Sequence, residues 1–269
     1  MAADGANLQE SWLSFVQSHR GDEIENIVEE YPNERSLHVD VLDLHQQAPQ
    51  FAKALFSDPD RVLTRASAAL AGSHDAIDRI NIRLDNHPGL LPLSNIRARH
   101  IGELVTLEGF VESVGPVNAR AARAAFVCRS CDAKIRTQTV GLELRPPDAC
   151  RDCGSRGTFE FRPDKSTYED YQRISLREPS ESFVDDNDDL RRIDVYLDDD
   201  MVGTVESSAK VLATGIIRLQ RPNNTNEFVH YLDANTVSDE PGNFPDEGEA
   251  DGLQDVIESR WKRELDDPD

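Results

Sequence analysis

Four cysteines are the residues whose type and spacing carry chemistry in this chain: Cys128, Cys131, Cys150 and Cys153. The pattern is C-x2-C, 18 residues, C-x2-C. Two close thiolate pairs, each on a tight turn, can close a tetrahedral shell around one zinc ion. The steps Cys131-Asp132 and Cys153-Gly154 suit knuckle turns that aim backbone amides at sulfur. Disulfides and a redox dithiol are the alternatives. Disulfides belong to oxidising compartments, and a redox dithiol needs one pair rather than two. The expectation is a structural Zn2+, since four protein ligands leave no position for a catalytic water.

No other constellation offers catalysis. The sequence holds no G-x-x-x-x-G-K-[ST] phosphate loop, no G-x-S-x-G and no H-E-x-x-H. The seven histidines are scattered, and His38, His45 and His100 read as surface or satisfied residues. Asp198-Asp199-Asp200 reads as an acidic turn after a strand rather than a metal site. The chain by itself is expected not to be an enzyme.

Charge supplies the second functional signal. Lysines and arginines number 29 against 51 aspartates and glutamates, a net of −22, and five of the 29 are lysines. Such a surface suits solubility in high salt, as in a halophile; it bears on solubility and partners rather than fold. The charge is uneven. From 90 to 177 there are 14 basic and 11 acidic residues, against 15 and 40 in the remainder. A basic segment in an acidic chain must offset a general repulsion of phosphate, which marks it as a candidate nucleic-acid surface. No run approaches the ~18 apolar residues of a membrane span. Met1–Glu10 lacks a basic n-region and an apolar h-region. A cytoplasmic protein without membrane contact is expected.

The elements that must position these groups follow from periodicity. Leu8, Trp12, Phe15 and Val16 recur at helical spacing up to Gly21; Ile24, Ile27, Val28 and Tyr31 follow, stopped by Pro32. Leu37, Val39 and Val41 alternate as a strand does. Pro49 opens a helix bearing Phe51, Leu55 and Phe56, and Ser57-Asp58-Pro59 starts another that runs to Gly72. Ile80, Ile82 and Leu84 alternate again. Beyond Pro92 the pattern is short strands: Val105 to Val111 with Gly109 allowing a bend, Ile174 and Leu176, Ile193 to Leu197, and Val211 to Gly215. Ile216–Gln220 and Glu227–Leu232 flank a polar tip, which reads as a hairpin. Residues 238–252 read as disordered, and Leu253–Leu265 as a short amphipathic helix with Val256, Ile257 and Trp261 on one face.

Several of these pieces resemble one family. Leu104–Val111 followed by Ala124–Cys131 is similar to the N-terminal region of archaeal minichromosome maintenance (MCM) replicative helicases. Tyr171–Pro179 resembles that family's Q-x-[IV]-x-[LV]-Q-E-P stretch, with Arg177 in place of a glutamine. Asp194–Val202 and Ala213–Ile217 continue the likeness in order, and Glu30-Tyr31-Pro32 with Leu37–Asp40 resembles its helical part. The resemblance covers 8–238. It implies an α+β chain: an N-terminal helical bundle (1–88), then an OB-fold β-barrel (89–125 and 163–238) with an inserted zinc ribbon (126–162). An acidic tail (239–269) with a possible short helix follows.

The resemblance also implies six copies in a ring around single- or double-stranded DNA, with other replication proteins as further partners. Arg120 and Arg123, on the strand leading into the ribbon, then face DNA, as do Arg173 and Arg177 on a second strand and Arg218 and Arg221 beside the hairpin. The loop Asp164–Tyr171 corresponds to one that communicates with the motor domain. Three features depart from the family: Asn118 stands where an arginine is usual, Ser207-Ser208-Ala209 replaces Pro-Gly-Asp, and the motor is missing. The chain is then either a fragment or a stand-alone relative, and its tail favours the latter. The function expected is a non-catalytic, DNA-binding and ring-forming module; the alternative is a regulatory subunit that joins a helicase ring without touching DNA. Scarce aromatics, with Phe110, Phe126, Tyr168 and Tyr171 as the candidates, favour contact through the DNA backbone.

Overall fold

The computed structural model describes residues 2–139, 141–179, 191–222, 226–239 and Ile257. The helical part holds α1 (Ala2–His19), α2 (Gly21–Glu30), α3 (Val41–Gln47), α4 (Pro49–Ser57) and α5 (Pro59–Ser73). Prolines open α4 and α5, where a missing N–H costs nothing. Trp12 anchors the bundle: it stacks on Phe51 at 4.9 Å and donates from Nε1 to the Ala66 carbonyl at 3.1 Å. Two local expectations change. Gly21 begins α2 rather than simply ending a helix. Val41 leaves the strand and opens α3, because the Asp40 carboxylate accepts the Leu42 and Asp43 amides as an N-cap.

The alternating stretches on either side of these helices pair with one another. β1 (Ser36–Asp40) and β2 (Asn81–Asp85) run parallel, Leu37 opposite Ile82. A parallel pair needs a crossover, and α3 to α5 provide it. The first core gathers Trp12, Phe15, Leu37, Leu44, Leu55 and Leu84, and also takes Leu104 and Ile216 from the neighbouring barrel. Ile257 is helical and buried in this core. The other residues of the expected C-terminal helix, and all but the first two of 238–252, lie outside the described residues.

The second core is a closed barrel. Its strands are β3 (Leu104–Cys128), β6 (Thr167–Arg177), β7 (Arg192–Asp198), β8 (Lys210–Gln220) and β9 (Val229–Ser238), while β4 (Lys134–Gln138) and β5 (Phe159–Phe161) lie between β3 and β6 in the chain. The order β3-β6-β7-β9-β8 returns to β3 through Leu104↔Ile216, so no barrel strand is left with an open edge. All pairings are antiparallel except β7 with β9. Alternate residues point inward: Val105, Leu107, Val111, Ile174, Leu176, Val195, Leu197 and Ile217 fill the interior. Gly215 permits the closure. A Cβ there would lie 2.8 Å from the Ala234 Cα and closer still to the Asp233 carbonyl oxygen.

β3 spans 25 residues and serves three partners in turn: β8 along 104–110, β6 along 110–123, and β4 with β5 along 123–128. It therefore crosses the expected ribbon boundary at 125/126 without a break. Most of the loop expected at Asp164–Tyr171 is strand, since β6 pairs from Thr167 onward with Arg123. The hairpin of β8 and β9 is present, and residues 223–225 of its tip lie outside the described residues.

Candidate metal centre and cationic surfaces

The end of β3 and the turn after it bring Cys128 and Cys131 to Cys150 and Cys153. All four sulfurs lie within 4.8 Å of one another. Cys128 Sγ is 3.7 Å from Cys153 Sγ, and Cys131 Sγ is 3.6 Å from Cys150 Sγ. A tetrahedral Zn–S bond of about 2.3 Å has sulfur–sulfur edges of about 3.8 Å. Disulfide sulfurs sit about 2.05 Å apart, so these are four free thiols at metal-shell spacing.

Both turns have the same construction. The Asp132 amide donates to the Cys128 carbonyl and the Gly154 amide to the Cys150 carbonyl, each at 2.9 Å. Asp132 (φ 59°) and Gly154 (φ 74°) take the left-handed backbone that closes each turn, which glycine and aspartate tolerate best. Amides point at sulfur as the spacing predicts: the Ser130 amide lowers the Cys128 thiol, while the Ser155 hydroxyl and then its amide bring Cys153 down to about 6. At Cys131 the Ala133 amide acts the same way, yet the adjoining Cys153 and Cys150 thiols push the group up to about 12. Four thiols so close cannot all ionise without a cation between them, and the donor set fits a soft dication.

The six arginines expected to face DNA divide into two sets. Arg120 and Arg218 are enclosed by carboxylates. Arg120 pairs with Glu169 at 2.8 Å and Asp198 at 2.6 Å, and its third nitrogen lies 3.5 Å from Asp233, a distance for an ion pair but not a hydrogen bond. Arg218 is bonded to Asp60 at 2.6 Å and Asp233 at 2.7 Å. Burial opposes its charge, and Asp60 and Asp233 outweigh burial to hold the guanidinium above its ordinary pKa. Arg123, Arg173 and Arg221 are exposed. Arg173 lies 3.4 Å from Asp194. Arg177 is half-buried over the Phe110 ring at 5.8 Å. Of the four candidate aromatics, Phe126 is buried and Tyr171 packs on Tyr196, whereas Tyr168 is exposed.

The acidic triplet Asp198-Asp199-Asp200 is a socket for arginines rather than for metal. Arg35 and Asn81 bond Asp199, Arg83 bonds Asp198 and Asp200, and Arg79 bonds Glu169. These contacts join the helical part to β6, β7 and the turn after β7. Arg83 is almost fully buried and also donates to the Asn235 carbonyl at 3.0 Å. Burial raises Asp198 above the ordinary carboxylate range despite Arg83 and Arg120. Arg83 is illegible in the sequence, where it alternates with Ile82 and Leu84 like any water-facing position of a half-buried strand. The three consecutive aspartates were its only signal. His87 is buried likewise: its Nδ1 accepts the Gly89 amide at 3.2 Å, and burial brings it down to about 3. Among the described residues no helix is long and apolar enough to cross a membrane.

With this geometry in hand, likeness to known proteins is informative. Residues 92–221 match the family model described as the MCM OB domain. The chain is similar to the solved structure titled "1.8 Angstrom Crystal Structure of the N-terminal Domain of an Archaeal MCM": TM-score 0.71, 26% identity, covering 87% of this chain and 98% of that one. It is 27% identical over 150 residues to the minichromosome maintenance protein MCM of Saccharolobus solfataricus, covering 54% of this chain and 22% of that protein. It is 28% identical over 255 residues to the DNA replication licensing factor mcm2 of Schizosaccharomyces pombe, covering 88% and 30%. The chain thus spans about a fifth to a third of the length of these two relatives.

Proposed function

We propose that this chain is a non-catalytic, DNA-binding and ring-forming module of an MCM-type replication helicase. Residues 92–221 match the MCM OB domain, and the fold is similar to that of an archaeal MCM N-terminal domain. The observation that carries the reading is the closed five-stranded barrel whose first strand runs on, unbroken, into a cluster of four thiols. In this reading Cys128, Cys131, Cys150 and Cys153 hold one zinc ion, which fixes two turns that have little apolar core of their own. Its contribution is structural, because all four positions around the metal are taken by sulfur. Arg123, Arg173, Arg177 and Arg221 contact phosphate through planar forks. Arg120 and Arg218 support that surface from beneath, since carboxylates already occupy their donors. Binding is backbone-driven and only weakly sequence-specific.

The test is light scattering after size exclusion, at stated salt, with and without a DNA oligonucleotide. The expected result is a ring-sized species whose mass rises with DNA. Replacing Arg123 and Arg173 by alanine lowers the slope of log affinity against log salt by about 0.7–0.9 for each phosphate no longer neutralised. A monomer indifferent to DNA at every salt concentration overturns the reading.

The enclosure of Arg120 and Arg218, with Asn118 where the family resemblance expects an arginine, favours one alternative: a subunit that joins a helicase ring without touching DNA. Co-purification with a full-length MCM, unchanged by the Arg123 and Arg173 substitutions, supports that alternative.

A further inference from the structure

A cationic groove lies at the base of the cysteine segment. β3 and β4 pair there in regular antiparallel register, Ala125 opposite Arg136 and Val127 opposite Lys134. Side chains two apart on a strand share a face, so Lys134 and Arg136 rise on one side of a floor made by Ala125 and Val127. Arg162 and Lys165 stand on the other side, where the Arg162 amide donates to the Ala125 carbonyl at 2.8 Å. These residues line a cavity of about 710 Å³. Asp164 sits 3.3 Å from Arg162 and 3.7 Å from Lys165 and neutralises part of that wall. Among the described residues, Lys134 and Arg136 have no carboxylate partner. By contrast Arg35, Arg83, Arg120 and Arg218 are each bonded to carboxylates.

An apolar floor between cationic walls suits a chain that carries both carboxylates and apolar side chains. Phosphodiester backbone would use the walls but not the floor. The sequence holds such a segment between Pro179 and Arg191: Glu181, Asp185, Asp186, Asp188 and Asp189 with Phe183 and Val184, and no lysine or arginine. It cannot reach the groove of its own copy. The Glu178 amide bonds the Arg191 carbonyl at 3.0 Å, so both ends are held together at the far end of β6. A loop of that length reaches about 20 Å at most. The groove lies beyond Thr167, the opposite end of β6, roughly 36 Å along the strand.

We propose that the groove formed by Lys134, Arg136, Arg162 and Lys165 over Ala125 and Val127 docks the acidic segment 180–190 of a second copy of this chain. The contact is an interface between copies, independent of whether the protein binds DNA. It accounts for a positive middle segment between negative flanks: each copy carries both halves of a complementary pair.

The test titrates a fluorescent peptide of residues 180–190 with the full chain and reads anisotropy at low and high salt. The expected result is saturable binding that K134E/R136E weakens at least about tenfold, while K53E/R65E, which changes net charge equally on exposed helical positions, leaves it within about twofold. A peptide with Asp185, Asp186, Asp188 and Asp189 changed to lysine is expected to bind K134E/R136E in place of the wild type. Two outcomes overturn the proposal. One is a peptide that binds wild type and K134E/R136E equally, or binds neither. The other is a DNA oligonucleotide that depends on Lys134 and Arg136 where the peptide does not, which makes the groove a nucleic-acid surface instead.

Discussion

Replacing Arg120 with alanine tests whether this residue belongs to the fold or to a ligand surface. Its three nitrogens face Glu169, Asp198 and Asp233, whose side chains are 7%, 18% and 15% exposed. Removing one partner of a buried ion pair costs about 3–5 kcal/mol when the remaining charge is left uncompensated. Here each carboxylate keeps another arginine: Arg79 at Glu169, Arg83 at Asp198 and Arg218 at Asp233. The expected loss is therefore smaller, about 2–4 kcal/mol. That lowers Tm by about 4–16 °C at about 2–4 °C per kcal/mol. Urea unfolding of wild type and Arg120→Ala, followed by tryptophan fluorescence, measures it. The gap should also narrow at low pH. Asp198 is already raised by burial, and losing Arg120 removes one of the charges that hold it down, a destabilisation felt above the unfolded pKa and relieved as pH falls and the carboxylate binds a proton. A loss below about 0.5 kcal/mol, the range of an ordinary surface substitution, refutes the enclosed-arginine argument and returns Arg120 to the ligand-facing set.

Three further outcomes are expected. Purified chain should carry one zinc per copy by elemental analysis, and Cys150→Ser should reduce it to near zero while exposing the 129–161 segment to protease; a metal-free chain with that segment still protected contradicts the metal reading. His87, held near 3 by burial, binds a proton in the unfolded state between that value and about 6.5 but not in the folded state, so stability falls by about 1.4 kcal/mol per pH unit below about 6.5. His87→Gln should remove that slope from the urea midpoints, and an unchanged slope assigns it elsewhere. His38 works in the opposite sense, since its bond to Asp85 raises its pKa and the stability it adds is lost as pH rises through that value. Gly215→Ala should cost about 1–3 kcal/mol, because the added methyl meets the backbone of Asp233 and Ala234 rather than a yielding side chain; a neutral result means that strand shifts freely.

What was legible in the sequence had a local signature. Thiol spacing, prolines at helix starts and alternation along β6, β7 and β8 each need only a few neighbouring residues; the four thiols do gather in one cluster, and the prolines and alternation led to the right elements. What was not legible depends on residues far apart in the chain. The run Leu37 to Val41 gives no hint that its partner lies beyond three helices. The Asp40 cap that takes Val41 out of the strand competes locally with alternation and wins because it satisfies two amides at once. Arg120 and Arg123 look alike in the sequence, three residues apart on one strand. Arg120 sinks among Glu169, Asp198 and Asp233, all distant in the chain, while Arg123 stays exposed. Type and spacing revealed where cations gather but not which of them were already neutralised.

The uninterrupted course of β3 makes the cysteine cluster a pointer fixed to the barrel wall. From Asn118 to Cys128 the strand extends about 33 Å at about 3.3 Å per residue. It is stiffened by β6 and then β5 along one edge and by β4 along the other. A rotation of about 5° where the strand leaves the barrel therefore carries the four sulfurs sideways by about 3 Å. Any force that rocks the barrel is read out, enlarged, at its tip, and a load applied to the tip returns to the barrel as torque.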